Sequence, residues 1–121
     1  MIAAILASGE PERLYTGLSL LVSAAADGIP ARGLATFGAL EALLDDSLED
    51  RARATRGEMF ARTLAELRAT AAELDDVRIW ACAAAVETGG IDRDRVEAVL
   101  DGVISTPRFL REVGDARLVV V

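Results

Sequence analysis

Ile2-Ala3-Ala4-Ile5-Leu6-Ala7-Ser8-Gly9-Glu10-Pro11 is followed by Leu14, Leu18, Leu21, Val22 and Ala25 at helical spacing, up to Asp27-Gly28. The apolar run is of strand length and ends in a polar turn. Pro11 suits the first position of a helix, where its missing N–H is not needed, and the leucines that follow fall on one face. A buried strand, a turn and a single-faced helix make one βα unit.

The unit recurs along the chain. Ala31 to Phe37, Val77 to Cys82, Gly102 to Ser105 and Ala116 to Val121 read as further strands, and no Asn-Gly or Asp-Gly hairpin turn joins neighbours. Between them, Phe37 to Leu44, Glu58 to Leu74, Asp92 to Val99 and Arg108 to Val113 have helical character. Phe60, Leu64, Leu67, Ala71 and Leu74 recur at three- and four-residue steps. Alternating strands and helices predict an α/β fold with a five-stranded parallel sheet. Asp45 to Gly57 holds Asp45, Asp46, Glu49, Asp50, Arg51, Arg53 and Arg56, and reads as a solvated connector. The β-branched Leu118-Val119-Val120-Val121 run predicts a buried strand or one covered by another subunit, since an open apolar edge invites aggregation.

The 121 residues fit one domain, spanning 1–121. Hydrophobic residues are 52% of the chain and aromatics only 4%, so the core must be Ala, Leu and Val packed closely between small elements. Every cationic side chain is arginine, scattered through a chain of net charge −7, which offers no basic stripe for a phosphate backbone. Nucleic acid is not an expected partner. Histidine is absent, which removes the commonest general base and metal ligand and every Ser-His or Cys-His pair. No metal or organic cofactor is expected. One cysteine allows no internal disulfide and no multi-thiolate zinc site, and points to a reducing, cytoplasmic compartment. The opening apolar run has no basic flank and is too short to span a membrane, so it reads as a strand rather than a signal peptide.

In open α/β sheets ligands gather beyond the carboxyl ends of the strands. The residues to examine are therefore Ser8, Gly9 and Glu10, then Phe37 and Gly38, then Cys82 with Ala83 onward, and Ser105-Thr106. Neither G-x-G-x-x-G nor G-x-x-x-x-G-K-[ST] is present, so the first turn is neither a dinucleotide nor a phosphate loop. Val77-Arg78-Ile79-Trp80-Ala81 delivers Cys82 to a strand end, and Ala83-Ala84-Ala85-Val86-Glu87 continues as a helix whose free N–H groups would favour a thiolate. The alternative is an inert buried cysteine, a common environment for this residue. Glu87 and the Gly89-Gly90 pair follow. The glycines either let a small acceptor or a partner chain approach the sulfur or simply end the helix.

Ala7-Ser8-Gly9-Glu10-Pro11-Glu12-Arg13-Leu14-Tyr15-Thr16-Gly17-Leu18, the Thr36-Phe37-Gly38 strand end, and Ala81-Cys82 followed by Val86, Glu87 and Gly90-Ile91 together resemble the DsrE/DsrF/DsrH-like proteins, including the branch often labelled peroxiredoxin-like. The similarity runs almost end to end. It implies a three-layer α/β/α sandwich of Rossmann-like topology, assembly into homo-trimers or hexamers, and a cysteine that carries sulfur as a persulfide between donor and acceptor proteins. Cys82 matches the cysteine of that branch. This chain departs from it in having Ala83-Ala84-Ala85 after the cysteine, with no Ser or Thr beside it, and Glu10 where relatives often have Asp. The residues before Cys82 also lack the Pro-x-x-x-Thr/Ser-x-x-Cys arrangement that peroxide chemistry needs, so no peroxidase activity is expected.

The resulting expectation is a small cytoplasmic sulfurtransferase or sulfur carrier that acts through Cys82. Ser8, Gly9, Glu10, Phe37, Gly38, Ala83, Glu87 and Gly90 would line its pocket. The rival is an oligomeric binding or assembly module of the same fold in which Cys82 only packs. A nucleotide-binding domain is a third and weaker expectation, given the missing glycine motif.

Overall fold

The computed structural model describes residues 1–121. Strand β1 (Ile2–Leu6) leads into helix α1 (Pro11–Ala26), and β2 (Ala31–Ala35) into α2 (Phe37–Leu44), α3 (Leu48–Arg56) and α4 (Glu58–Glu73). Strand β3 (Val77–Cys82) precedes α5 (Ala83–Thr88) and α6 (Arg93–Val99), the short β4 (Val103–Ile104) precedes α7 (Thr106–Val113), and β5 (Arg117–Val120) completes the sheet. The five strands are all parallel, in the order β4-β3-β2-β1-β5. This is a three-layer Rossmann-like α/β/α sandwich.

The order dictates how the layers fill. Crossovers between parallel strands are right-handed, so three successive steps in one direction, β1 to β2 to β3 to β4, stack their helices on one face. Only the return from β4 to β5, on the far side of β1, sends a helix to the other. Side chains bear this out. Leu21 of α1 sits against Gly33 and Ile79, while Trp80, the next residue of β3 and so on the opposite face, meets Phe109 of α7 edge to face at 6.1 Å. One face thus carries a thick helical layer, and the other is covered by α7 alone, a helix of eight residues.

The core is a single cluster of Leu, Ala, Val and Ile with Phe109 as its largest member, and no polar side chain is buried. Helix ends follow the sequence. Pro11 opens α1, Asp92 caps α6 by accepting from the Asp94 N–H at 3.0 Å, and Ser105 caps α7 by accepting from Arg108 at 3.3 Å. Arg68 and Arg95 donate to the carbonyls of Leu43 and Leu44 and close the C-terminal end of α2.

The expectation for 45–57 is corrected, one of the two placements expected for the C-terminal run is excluded, and one strand is shortened. The segment read as a connector, 45–57, is largely a helix: α3 drives Leu48 and Ala52, one turn apart, into the core, with Leu48 0% exposed. Two apolar residues at i and i+4 suffice when a neighbouring helix supplies the rest of the contact, and Arg53 adds pairs to Asp50 at 2.9 Å and to Glu58. The C-terminal run is not a buried strand within the chain. It forms the sheet edge, with Leu118 44% and Val120 69% exposed, because the return crossover places it outside β1. The strand read as Ala31 to Phe37 also stops at Ala35, and Phe37 begins α2.

Candidate functional site

The register fixes where the strand ends stand. Leu6 pairs with Ala35, Ala35 with Ala81, and Cys82 with Ile104, so the ends of β1, β2, β3 and β4 lie side by side along one rim. Adjacent strands are about 4.8 Å apart, which puts the end of β1 roughly 10 Å from the end of β3. The predicted residues consequently fall into separate groups.

The first group forms at β1 and β2. Thr36 ties the two loops by donating from N (3.0 Å) and from Oγ1 (3.2 Å) to the Leu6 carbonyl. Gly9 and Gly38 are in backbone contact: a Cβ built on Gly9 would stand 2.5 Å from the Gly38 carbonyl oxygen. Arg51 of α3 donates to the Gly9 carbonyl at 2.9 Å, and Ser8 Oγ accepts from the Glu10 N–H at 3.1 Å. Glu10 itself is exposed and 3.7 Å from Arg13. Beside this pair of loops Phe37 adopts φ +33 with its ring 56% exposed, the one non-glycine residue of positive φ in the chain. A bulky side chain in that region is strained, and such strain gathers at working sites.

The second group forms at β3 and β4. Cys82 ends β3 in extended conformation (φ −66°, ψ 124°) and is the N-cap residue of α5, whose first residue is Ala83. It shares the face of Trp80, the thinly covered one, and its Sγ lies 3.9 Å from Oγ1 of Thr106, the first residue of α7. Cys82 is only 4% exposed, whereas Thr106 is exposed, so the first turn of α7 stands between the sulfur and solvent. The sequence places no Ser or Thr next to the cysteine; the fold supplies a threonine hydroxyl from 24 residues away.

Glu87 and Gly90 belong to neither group. They lie at the far end of α5, some five to eight residues past Cys82, which at 1.5 Å per helical residue is about 8 Å or more. Gly90, at φ +60, ends the helix, and Ile91 N–H closes it onto the Val86 carbonyl at 3.0 Å. Helices α1, α2 and α5 all start on this rim without a side-chain cap, so unclaimed N–H groups face it from three neighbouring strands. No three Cys, Asp or Glu side chains converge to hold a metal ion.

No family model matches this chain, and no curated protein sequence matches it either. The concavities of the surface lie away from the rim. A cleft of about 50 Å³ between Leu18, Leu43, Ala71, Ile79 and Val99 has Arg68 and Asp101 among its other lining residues, and two shallow ones flank α7 and the N-terminal end of β1. None is lined by Cys82 or by the other predicted site residues. The rim thus offers a buried thiol near a hydroxyl in one group and an exposed aromatic of positive φ in the other. No helix is long and apolar enough to cross a membrane.

Proposed function

We propose that this chain is a sulfur-relay protein of the DsrE/DsrF/DsrH-like type, carrying sulfur as a persulfide on Cys82. The observation that carries this reading is the placement of the chain's single cysteine at the carboxyl end of a central strand, at the start of α5, with the Thr106 hydroxyl 3.9 Å from Sγ. The chemistry needs no cofactor. The Cys82 thiolate attacks the outer sulfur of a donor persulfide; the new Sγ–S bond forms as the donor S–S bond breaks and the donor leaves as a thiolate. An acceptor thiolate then attacks the same outer sulfur, the Sγ–S bond breaks and Cys82 returns as a thiolate. The Thr106 hydroxyl can donate to the Cys82 thiolate before loading and after discharge. With no second cysteine to resolve the persulfide, the acceptor must be another molecule. The reading includes a cytoplasmic setting and self-assembly into a trimer or hexamer, as the resemblance implies.

The test is intact mass after exposure of the native protein to polysulfide. A gain of one sulfur atom that is absent in Cys82→Ala, and that is discharged to a small thiol, supports the relay. Thr106→Val, which keeps the shape and removes the hydroxyl, should slow both loading and alkylation without loss of fold.

One observation favours a second reading. Cys82 belongs to the continuous core cluster at 4% exposure, as a packing cysteine in a binding or assembly module would. A thiol silent to polysulfide and to alkylation until the protein unfolds would decide for it.

A further inference from the structure

The two edges of the sheet are treated differently. At the β4 edge the strand is only two residues long, and beyond it the Asp101 carboxylate accepts the Ile79 N–H at 2.7 Å while Asp101 N–H donates to the Ile79 carbonyl at 2.9 Å. Arg78 adds a charge 3.8 Å from the same carboxylate. That edge is short and charged, and Asp101 closes the part of β3 that β4 leaves uncovered, which is how proteins block unwanted strand pairing.

The β5 edge is twice as long, and its one charge, Arg117, stands at its first residue. Arg117 and Val121 donate to the Met1 and Ile5 carbonyls at 3.2 and 2.9 Å, so by the alternation of a parallel ladder Leu118 and Val120 turn their N–H and C=O outward. No charge, proline or bulge interrupts Leu118 to Val121. Leu118 and Val120 expose apolar side chains along the edge on the face of α7, and Met1 and Ile29 are exposed at the amino-terminal end of the sheet, beside Asp115 and Arg117.

We propose that β5 pairs with β5 of a second copy, antiparallel about a twofold axis at Val119, to make one sheet of twice the width. An outward-facing backbone specifies a strand as its occupant, and the one unguarded edge in reach is the same edge of another copy. The register follows from the hydrogen-bonding groups. Centring on Val119 sets Leu118 opposite the partner's Val120 and the reverse, which uses every outward donor and acceptor of both strands and brings apolar side chains together. Electrostatics select this strip as well. Two copies of net charge −7 repel, so contact must be made where charge is absent. In this register the two Arg117 side chains stand four residues apart along the sheet, about 14 Å, beyond the roughly 8 Å screening length of physiological salt. The contact is isologous and closes on itself, and it does not depend on the sulfur chemistry of Cys82.

The test is sedimentation of the full chain at high micromolar concentration together with hydrogen exchange. Val120→Pro deletes an N–H that faces outward, so the β1 ladder keeps its bonds and the second copy loses one. Leu118→Lys installs an edge charge. The expected result is an even-numbered assembly, which of the two states implied by the resemblance is the hexamer, whose mass falls to one half in both variants with an unchanged circular dichroism spectrum. The Leu118 and Val120 amides should be protected in the parent and fast in the variants. A parent that sediments as one chain, a trimer in which those amides exchange freely, or a mass that neither variant moves would overturn the proposal. If Val120→Pro fails to fold, Leu118→Lys alone decides. Persulfide loading of Cys82 is read separately, so a failed dimer and a failed relay are distinguishable.

Discussion

Gly9→Ala tests why the loops beyond β1 and β2 carry glycine. The added Cβ would meet the Gly38 carbonyl oxygen at 2.5 Å and its carbon at 3.0 Å. Carbon pairs reach their best separation at about 3.5 to 4.0 Å, so the methyl is short of ordinary contact by up to about 1 Å. Its neighbour is backbone, anchored by Thr36 on the Leu6 carbonyl, and cannot swing aside; on the other side Arg51 holds the Gly9 carbonyl at 2.9 Å. Overpacking of this kind costs about 1 to 3 kcal/mol. With a urea dependence of about 2 kcal/mol per molar, the midpoint of unfolding should fall by roughly 0.5 to 1.5 M. Gly38→Ala is the internal comparison, because its Cβ would meet Gly9 N at 3.3 Å, which a slight shift relieves, and its loss should be well under half as large. Both variants are unfolded in urea at one fixed protein concentration, since assembly would add to apparent stability. A loss below about 0.5 kcal/mol for Gly9→Ala, a value within the range of ordinary surface substitutions, would refute the steric account. So would an equal loss at Gly38.

Leu48→Ala should cost about 2 to 5 kcal/mol in the same assay, because Leu48 is fully buried at the start of α3; a loose connector would lose almost nothing. Asp101→Ala leaves the Ile79 N–H at the β4 edge without its acceptor, and should cost about 1 to 3 kcal/mol and speed exchange of that amide relative to the β1 and β2 amides. Hydrogen bonding and charge from Arg53 hold the Glu58 carboxyl below the ordinary glutamate range. A depressed carboxyl contributes stability that is present above its unfolded value of about 4.3 and is lost as pH falls through the lower folded value. The titration of Glu58 followed by NMR should therefore move up towards the ordinary range in Arg53→Gln. An unmoved midpoint would remove Arg53 as the cause.

The parts of the fold that were legible in the sequence are those set by local pattern. β1, α1, α4 and the strand ending at Cys82 each carry their own periodicity, and Pro11, Asp92, Ser105 and Gly114 mark helix ends through backbone chemistry that needs no partner. Helix α3 was hidden because its apolar signal is only the Leu48 and Ala52 spacing, while Glu49 and Asp50 in its first turn, Arg53 and Arg56 in its last and Gly57 at its end read as mere charge and a loop, and its contact surface is supplied by α1 and α4. The exposure of β5 was hidden for a different reason. Apolar composition records that a strand is fit to be covered, while its position at the edge comes from the crossover of the whole chain. The site divides in the same way. Cys82 at a strand end is visible from the run before it, but Thr106 meets it only through the pairing of Cys82 with Ile104, and no residue type announces the positive φ of Phe37.

The burial of Cys82 and the nucleophilic role proposed for it are compatible because of what covers it. A helix of eight residues is too short to be stable alone, so α7 holds its place through Phe109 and Val113 on the sheet, the Ser105 cap and the turn at Gly114. An element with two buried anchors opens locally at a free energy below that of global unfolding. On the other face α1, α2, α4 and α6 all reach Ile79, around the cleft lined by Leu18, Leu43, Ala71 and Val99. Strand order thus determines access: three crossovers in one direction use up the helices on one face, and the sulfur, which alternation puts on the other, is left under the smallest cover the chain can give it. In the relay proposed above, a donor would reach the sulfur only if the first turn of α7 moved Thr106 aside.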